Sequence, residues 1–185
     1  MPVTPLHVFP ATAVYLLFFR RLNGLAFFLG TLLIDLEPVL YWVFSIDFPQ
    51  IPLLLGGFAP QGLHMITHNP FSIIFLVAPA MVLLAKIVES TSRGFLFQIF
   101  SGAEWIEYSW KQTYLSALFG AFLHLGWDLT MHYDINLGFP FVNIPNPFVS
   151  LQAFYVILSV SFIMILPVYF IGKRINKTSP FKKLP

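Results

Sequence analysis

The stretch FVSLQAFYVILSVSFIMILPVYFIG, Phe148–Gly172, contains no Asp, Glu, Lys or Arg. A helix rises about 1.5 Å per residue, so roughly 20 apolar residues cross the hydrocarbon core of a bilayer. This stretch is long enough, and it predicts a transmembrane helix. Earlier in the chain, the segments at about 22–46, 71–88 and 112–131 reach or approach the same length. A fifth, about 5–19, is shorter and carries Pro10. It reads as a tilted span or as a re-entrant helix covered by the rest of the bundle. The expected fold is all-α: a polytopic membrane helix bundle of about five transmembrane helices.

Composition agrees with that class. The 185 residues are 57% hydrophobic and 18% aromatic, with only 10% charged, which is a membrane composition rather than a soluble one. The length suits one integral membrane domain over 1–185, with no room for a second soluble one. Cysteine is absent, which excludes disulfides and thiolate metal ligands; any metal must be held by imidazole and carboxylate. A net charge of +2 is too small to argue for nucleic acid. The opening MPVTPLHVFP has neither a basic n-region nor a small-residue cleavage site, so no removable signal peptide is expected.

Residues 90–110 differ from the spans. Apolar residues recur at Phe95, Ile99, Ala103, Ile106 and Trp110, and Trp105, Tyr108 and Trp110 are ring types that collect at headgroup level. This pattern predicts one interfacial amphipathic helix. Basic residues then set an orientation. Arg20 and Arg21, then Lys86, Arg93 and Lys111, then the tail with Lys173, Arg174, Lys177, Lys182 and Lys183, occupy alternate connections. The other connections, 47–70 and 132–147, contain no Lys or Arg. With five spans all basic residues fall on one side. The positive-inside rule then places a multi-pass protein in the cell membrane, with its N-terminus outside and its C-terminus cytoplasmic.

The histidines and the membrane carboxylates converge on the outer side of that topology. His124, Asp128 and His132 follow one another at i, i+4 steps and share one face of a helix. Such spacing brings lone pairs toward one metal ion with little strain. His64 and His68 repeat the spacing just before Pro70, so His68 belongs to a helix terminus or a turn. Asp35 and Glu37 interrupt an apolar span in a part of the chain without Lys or Arg, which leaves histidines, polar groups or a metal as partners. Pro38 disfavours helical geometry at Glu37, so the helix is expected to break and turn both carboxylates toward one site. His7 lies at the outer end of the first segment. Thr67 and Thr130 each neighbour a presumed ligand and are candidate hydrogen-bond partners for it. A stiff aromatic loop, Gly138–Phe148, suits a lid or a membrane-facing way in. Buried hydrogen-bonded pairs, solvated loop histidines and plain interfacial packing are the structural alternatives for these same residues.

The order of these elements resembles a family: the membrane-bound, metal-dependent hydrolases of bacteria and archaea sometimes called YdjM-like. The resemblance rests on Thr4-Pro5-Leu6-His7, on Asp35-Leu36-Glu37, on Thr67-His68 preceded by His64, and on His124 and Asp128 with Thr130 following. It covers roughly residues 4–140, the expected metal-site core; the last span and basic tail, 148–185, add nothing specific. Asn69 stands where a serine commonly follows the histidine, and Glu37 where a second aspartate is common. The family is distantly similar to the zinc-dependent phospholipase C group. The resemblance therefore implies a metallohydrolase acting on a phosphoester.

Residues and resemblance together predict a membrane-embedded metal-dependent hydrolase, with an ester of a lipid or lipid-linked substrate at the outer leaflet as its target. The expected metal ligands are His7, Asp35, His64, His68, His124, Asp128 and His132, too many for one tetrahedral ion. Glu37 or Asp128 is the expected general base. Imidazole-rich ligation favours zinc and leaves manganese or iron open. Membrane lipids are the expected partners; the oligomeric state stays open. Two rivals remain at this point: a metal-ion transporter or sensor, and a non-enzymatic structural membrane protein.

Overall fold

A computed structural model describes residues 4–18, 21–44, 51–58, 64, 66–91 and 108–177. The expected interfacial helix lies almost wholly outside the described residues, as do Arg20, Arg93, Lys182 and Lys183. The described part is all-α. Helix α1 runs Thr4–Phe18 and α2 Gly24–Leu32; a 3₁₀ turn at Leu33–Asp35 leads into α3, Leu36–Phe44. Pro70–Ser72, a π-helical segment at Ile73–Val77 and Ala78–Thr91 follow one another without a gap and form a single rod, α4. Helices α5, Trp110–Asp128, and α6, Leu151–Lys177, complete the bundle.

Local chemistry sets the ends of these helices. The Asn23 side chain accepts the Ala26 N–H at the start of α2, and Asn69 accepts the Ser72 N–H at 2.8 Å ahead of Pro70. Proline fits there because the first-turn N–H groups have no partner within the helix. Ser109 and Gln112 form a reciprocal capping box at the start of α5.

Small residues let α2 and α5 approach closely. A Cβ on Gly30 would stand 2.2 Å from the Ala117 carbonyl oxygen, and one on Gly120 would stand 2.1 Å from that of Phe27. Helix α4 closes over this pair through Ala78, Val82 and Ala85, which cluster with Ala26 and Ala117. Nearer the other end, Ile34, Ile73, Val77, Ala121, Leu125 and Ile135 form a second apolar cluster. Helix α6 packs on α1 and leaves most of its surface outside the bundle, with Phe162, Ile163 and Leu166 each more than 60% exposed.

The hydropathy reading needs a correction. Among the described residues two helices are long and apolar enough to cross a membrane, Pro70–Ser90 and Leu151–Gly172; His7–Phe18 is a shorter apolar helix. The segment expected as one span at 22–46 is divided by the 3₁₀ turn into two nine-residue helices. The segment expected at 112–131 is helical only as far as Asp128 and carries Thr113, Ser116, His124 and Asp128 on its buried face. Both departures have one cause: these segments spend hydrophobic length on positioning polar side chains.

Candidate metal centre

Four chain segments deliver imidazole and carboxylate groups to one place. His7 comes from the first turns of α1, Asp35 from the 3₁₀ turn, His64 and His68 from the loop before α4, and His124 and Asp128 from the end of α5. Each of these six residues is no more than 4% exposed.

The contacts interlock. His68 Nε2 lies 3.1 Å from Asp35 Oδ1 and 3.0 Å from Asp128 Oδ2. His124 Nε2 lies 3.1 and 2.9 Å from the same two oxygens. His7 Nε2 is 3.3 Å from Asp128 Oδ1, and its ring stands edge-on to that of His124 with centroids 4.2 Å apart. Ligand atoms from Asp35, His64, His68 and Asp128 all fall within 4.8 Å of one another, and so do those from His7, Asp35 and His124. A third such group, at the half-buried edge, is His64, His132 and Asp134.

Proton accounting decides what this geometry suits. His124 Nδ1 faces the Thr31 backbone carbonyl, which can only accept, so Nδ1 carries the ring proton. Thr67 Oγ1 donates to Glu37 Oε2 at 3.0 Å and thus accepts from His68 Nδ1 at 2.9 Å. In both neutral rings the Nε2 lone pair then points at carboxylate lone pairs. Acceptors facing acceptors in a buried place are unfavourable unless a second proton on each ring or a metal cation joins them. A proton on Nε2 makes one straight hydrogen bond, yet each Nε2 has two carboxylate oxygens at nearly equal distance. Three further buried atoms, His7 Nδ1, His7 Nε2 and Asp128 Oδ1, have no hydrogen-bond partner among the described residues. Ligands about 2.0–2.1 Å from a tetrahedral ion stand about 3.3 Å apart. The observed separations of 2.9 to 3.3 Å are close to this. The donor set, the inward lone pairs and the orphaned atoms all fit a divalent cation. The buried His and Asp groups can form a metal site.

The remaining expected residues have distinct places. Glu37 is buried, but its carboxylate takes the Ile66 and Thr67 N–H groups as well as the Thr67 hydroxyl, and it is not one of the converging atoms. Pro38 does not break the helix at Glu37: the irregular turn comes just before Leu36, and α3 tolerates Pro38 in its first turn. Asp35 and Glu37 therefore diverge, one into the cluster and one onto the loop that carries His68. His132 sits one turn past the end of α5, with Nε2 4.0 Å from Asp128 Oδ1 and Nδ1 3.8 Å from Asp134 Oδ1. Thr130 bonds back to the Trp127 carbonyl and not to a ligand. The Asn146 side chain donates to the Leu129 and His132 carbonyls, which holds the turn that presents His132.

Asp134 belongs to the site too, and sequence reasoning misses it. Its carboxylate accepts from His64 Nδ1 at 3.0 Å, which leaves the His64 lone pair on Nε2. Burial pushes the Asp134 carboxyl up, but the His64 hydrogen bond and charge outweigh this and bring it down to about 2. Burial, and then the adjacent His64, hold His132 below the usual imidazole value; the two rings are tilted 38° to one another with centroids 3.9 Å apart. The signal that could have found Asp134 is the one that marks Asp35, an acid in a stretch without Lys or Arg. The aromatic loop is tied to the 51–58 segment and to α4: Leu54 and Leu55 donate to the Pro140 and Phe141 carbonyls, and Phe141 meets Phe71 edge-on.

No family model, curated protein or solved structure matches the chain.

Proposed function

We propose that this chain is a membrane-embedded, metal-dependent hydrolase acting on a phosphoester of a lipid or lipid-linked substrate. The observation that carries the reading is the inward convergence of His68 and His124 Nε2 on Asp35 and Asp128, with His7 beside them. His7, Asp35, His64, His68, His124 and Asp128 would hold one or two divalent ions, zinc before manganese or iron. When bound, such an ion supplies Lewis acidity that polarises a phosphoryl oxygen and makes water more acidic. Asp128 Oδ1 has no hydrogen-bond partner among the described residues, and this oxygen is the one suited to take a proton from water. Asp134 and His132, at the half-buried edge, face the side from which substrate would arrive.

The membrane setting is supported by two long apolar helices and by the large exposed hydrophobic side chains along α6. Arg21, Lys86 and Lys111 sit at the opposite helix ends from the histidines. By the positive-inside rule that end is cytoplasmic and the metal centre faces outward. The resemblance to the YdjM-like hydrolases points to the same activity. Hydrolysis is favoured over transport because the ligands form one cluster. At the far end Asn23, Thr113, Ser116, Lys86 and Glu89 satisfy one another by hydrogen bonds.

The test is elemental analysis and phosphoester hydrolysis on protein purified in mild detergent, wild type beside Asp128→Ala. The expected result is one or more equivalents of zinc or manganese and measurable hydrolysis, both lost in the variant. Wild-type protein that holds no metal and takes none up overturns the reading.

A further inference from the structure

Glu37 and Thr67 form a chain of hydrogen bonds that ends on His68. The Glu37 carboxylate is 3% exposed; it takes the Ile66 N–H at 3.0 and 2.9 Å and the Thr67 N–H at 2.9 Å. Its Oε2 also lies 3.0 Å from Thr67 Oγ1. A carboxylate only accepts, so the single hydroxyl proton of Thr67 goes to Glu37. The Thr67 oxygen, 2.9 Å from His68 Nδ1, is then left as an acceptor. That assignment forces the neutral His68 ring into its Nδ1–H form and turns the Nε2 lone pair toward Asp35 and Asp128. His124 reaches the same state by a shorter route, through the fixed Thr31 carbonyl. A threonine hydroxyl differs from a carbonyl because it rotates and can donate either way. Glu37 removes that freedom.

We propose that Glu37 is a positioning residue that acts through Thr67: it sets the tautomer of His68 and with it the metal affinity of the centre. This inference rests on the metal reading of the cluster. It gives Glu37 a role other than general base, since both of its oxygens are engaged away from the cluster. Partners of this kind on a ligating histidine are worth about 10- to 100-fold in metal affinity.

Thr67→Val removes the hydroxyl and keeps both backbone bonds to Glu37, so it separates the relay from the pinning of the loop. Thr67→Ser restores the hydroxyl. Two measurements on the full chain in detergent are decisive. The first is the ¹⁵N spectrum of the His68 ring in metal-stripped protein, at a pH high enough to neutralise the imidazole. The second is zinc affinity by chelator competition. Wild type and Thr67→Ser should show the Nδ1–H form, and Thr67→Val should lose it and bind zinc about 10- to 100-fold more weakly. An Nε2–H ring in wild type, an unchanged tautomer in Thr67→Val, or wild-type zinc affinity in Thr67→Val would each overturn the relay. If Thr67→Ser fails as Thr67→Val does, the hydroxyl is not the operative group and the proposal falls. Wild-type protein that binds no zinc overturns the metal reading itself, and the ring tautomer then still decides the relay.

Discussion

The two ends of the bundle both gather polar groups, fully buried at one and partly buried at the other, but they are built on opposite principles. At one end Asn23 caps α2 through its oxygen and donates to Glu89 at 2.6 Å, while its N–H reaches Ser116 Oγ; Lys86 pairs with Glu89 and donates to the Tyr108 carbonyl. Each of these donors meets an acceptor, and the result ties α2, α4 and α5 together. At the other end Asp35 and Asp128 face imidazole nitrogens whose single ring protons, in the neutral form, are directed elsewhere. A closed network needs nothing further, whereas imidazoles and carboxylates gathered in this way need positive charge between them, as a second proton on each ring or as a metal ion. The first arrangement serves folding, and the second has the chemistry of a binding site.

Substitutions at each end test whether the difference is real. The largest effect is expected from His124→Ala, which removes a lone pair that meets both carboxylates. Metal should be lost from the purified protein, and hydrolysis should fall by roughly 10²- to 10⁴-fold, the range of a positioned catalytic group. Retained metal and an unchanged rate would show that the cluster is structural after all. Asp134→Asn should act more mildly. It weakens the acceptor that orients His64, so zinc affinity should drop about 10-fold, at the low end for such partners. An unaltered dissociation constant would confine Asp134 to a loop contact. The smallest functional effect belongs to the far end. Asn23→Ala should cost about 1–2 kcal/mol of stability through loss of the cap, read as a lower unfolding temperature. Its metal content should match wild type; loss of metal there would mean that the two ends are coupled.

Much of the candidate metal centre is legible in the sequence because its signal is chemical. Ionisable groups in apolar sequence without basic partners are costly, so His7, Asp35, His64, His68, His124 and Asp128 stand out with no contact known. The structure brings those six together. Glu37 stands out for the same reason, yet its surroundings give it different work, because spacing along a chain does not report which loop will fold against a carboxylate. Asp134 escapes notice since it falls off the i, i+4 stripe that runs from His124 to His132, and only the turn at 129–132 carries the chain back to His64. The spans are less legible. Hydropathy reads 22–46 as continuous, but an apolar average does not register a 3₁₀ turn at Leu33–Asp35.

Composition and period, which are local properties, are enough to establish the helical, strongly apolar character of the chain. They also exclude thiolate chemistry and identify the groups available to a cation. The direction of each lone pair is another matter, and it comes from packing. Thr31 and Thr67 set the tautomers of His124 and His68 across 93 residues and one residue of chain respectively. A ring proton is assigned by whatever acceptor packing brings beside it, and that choice has no trace in the spacing of the histidines.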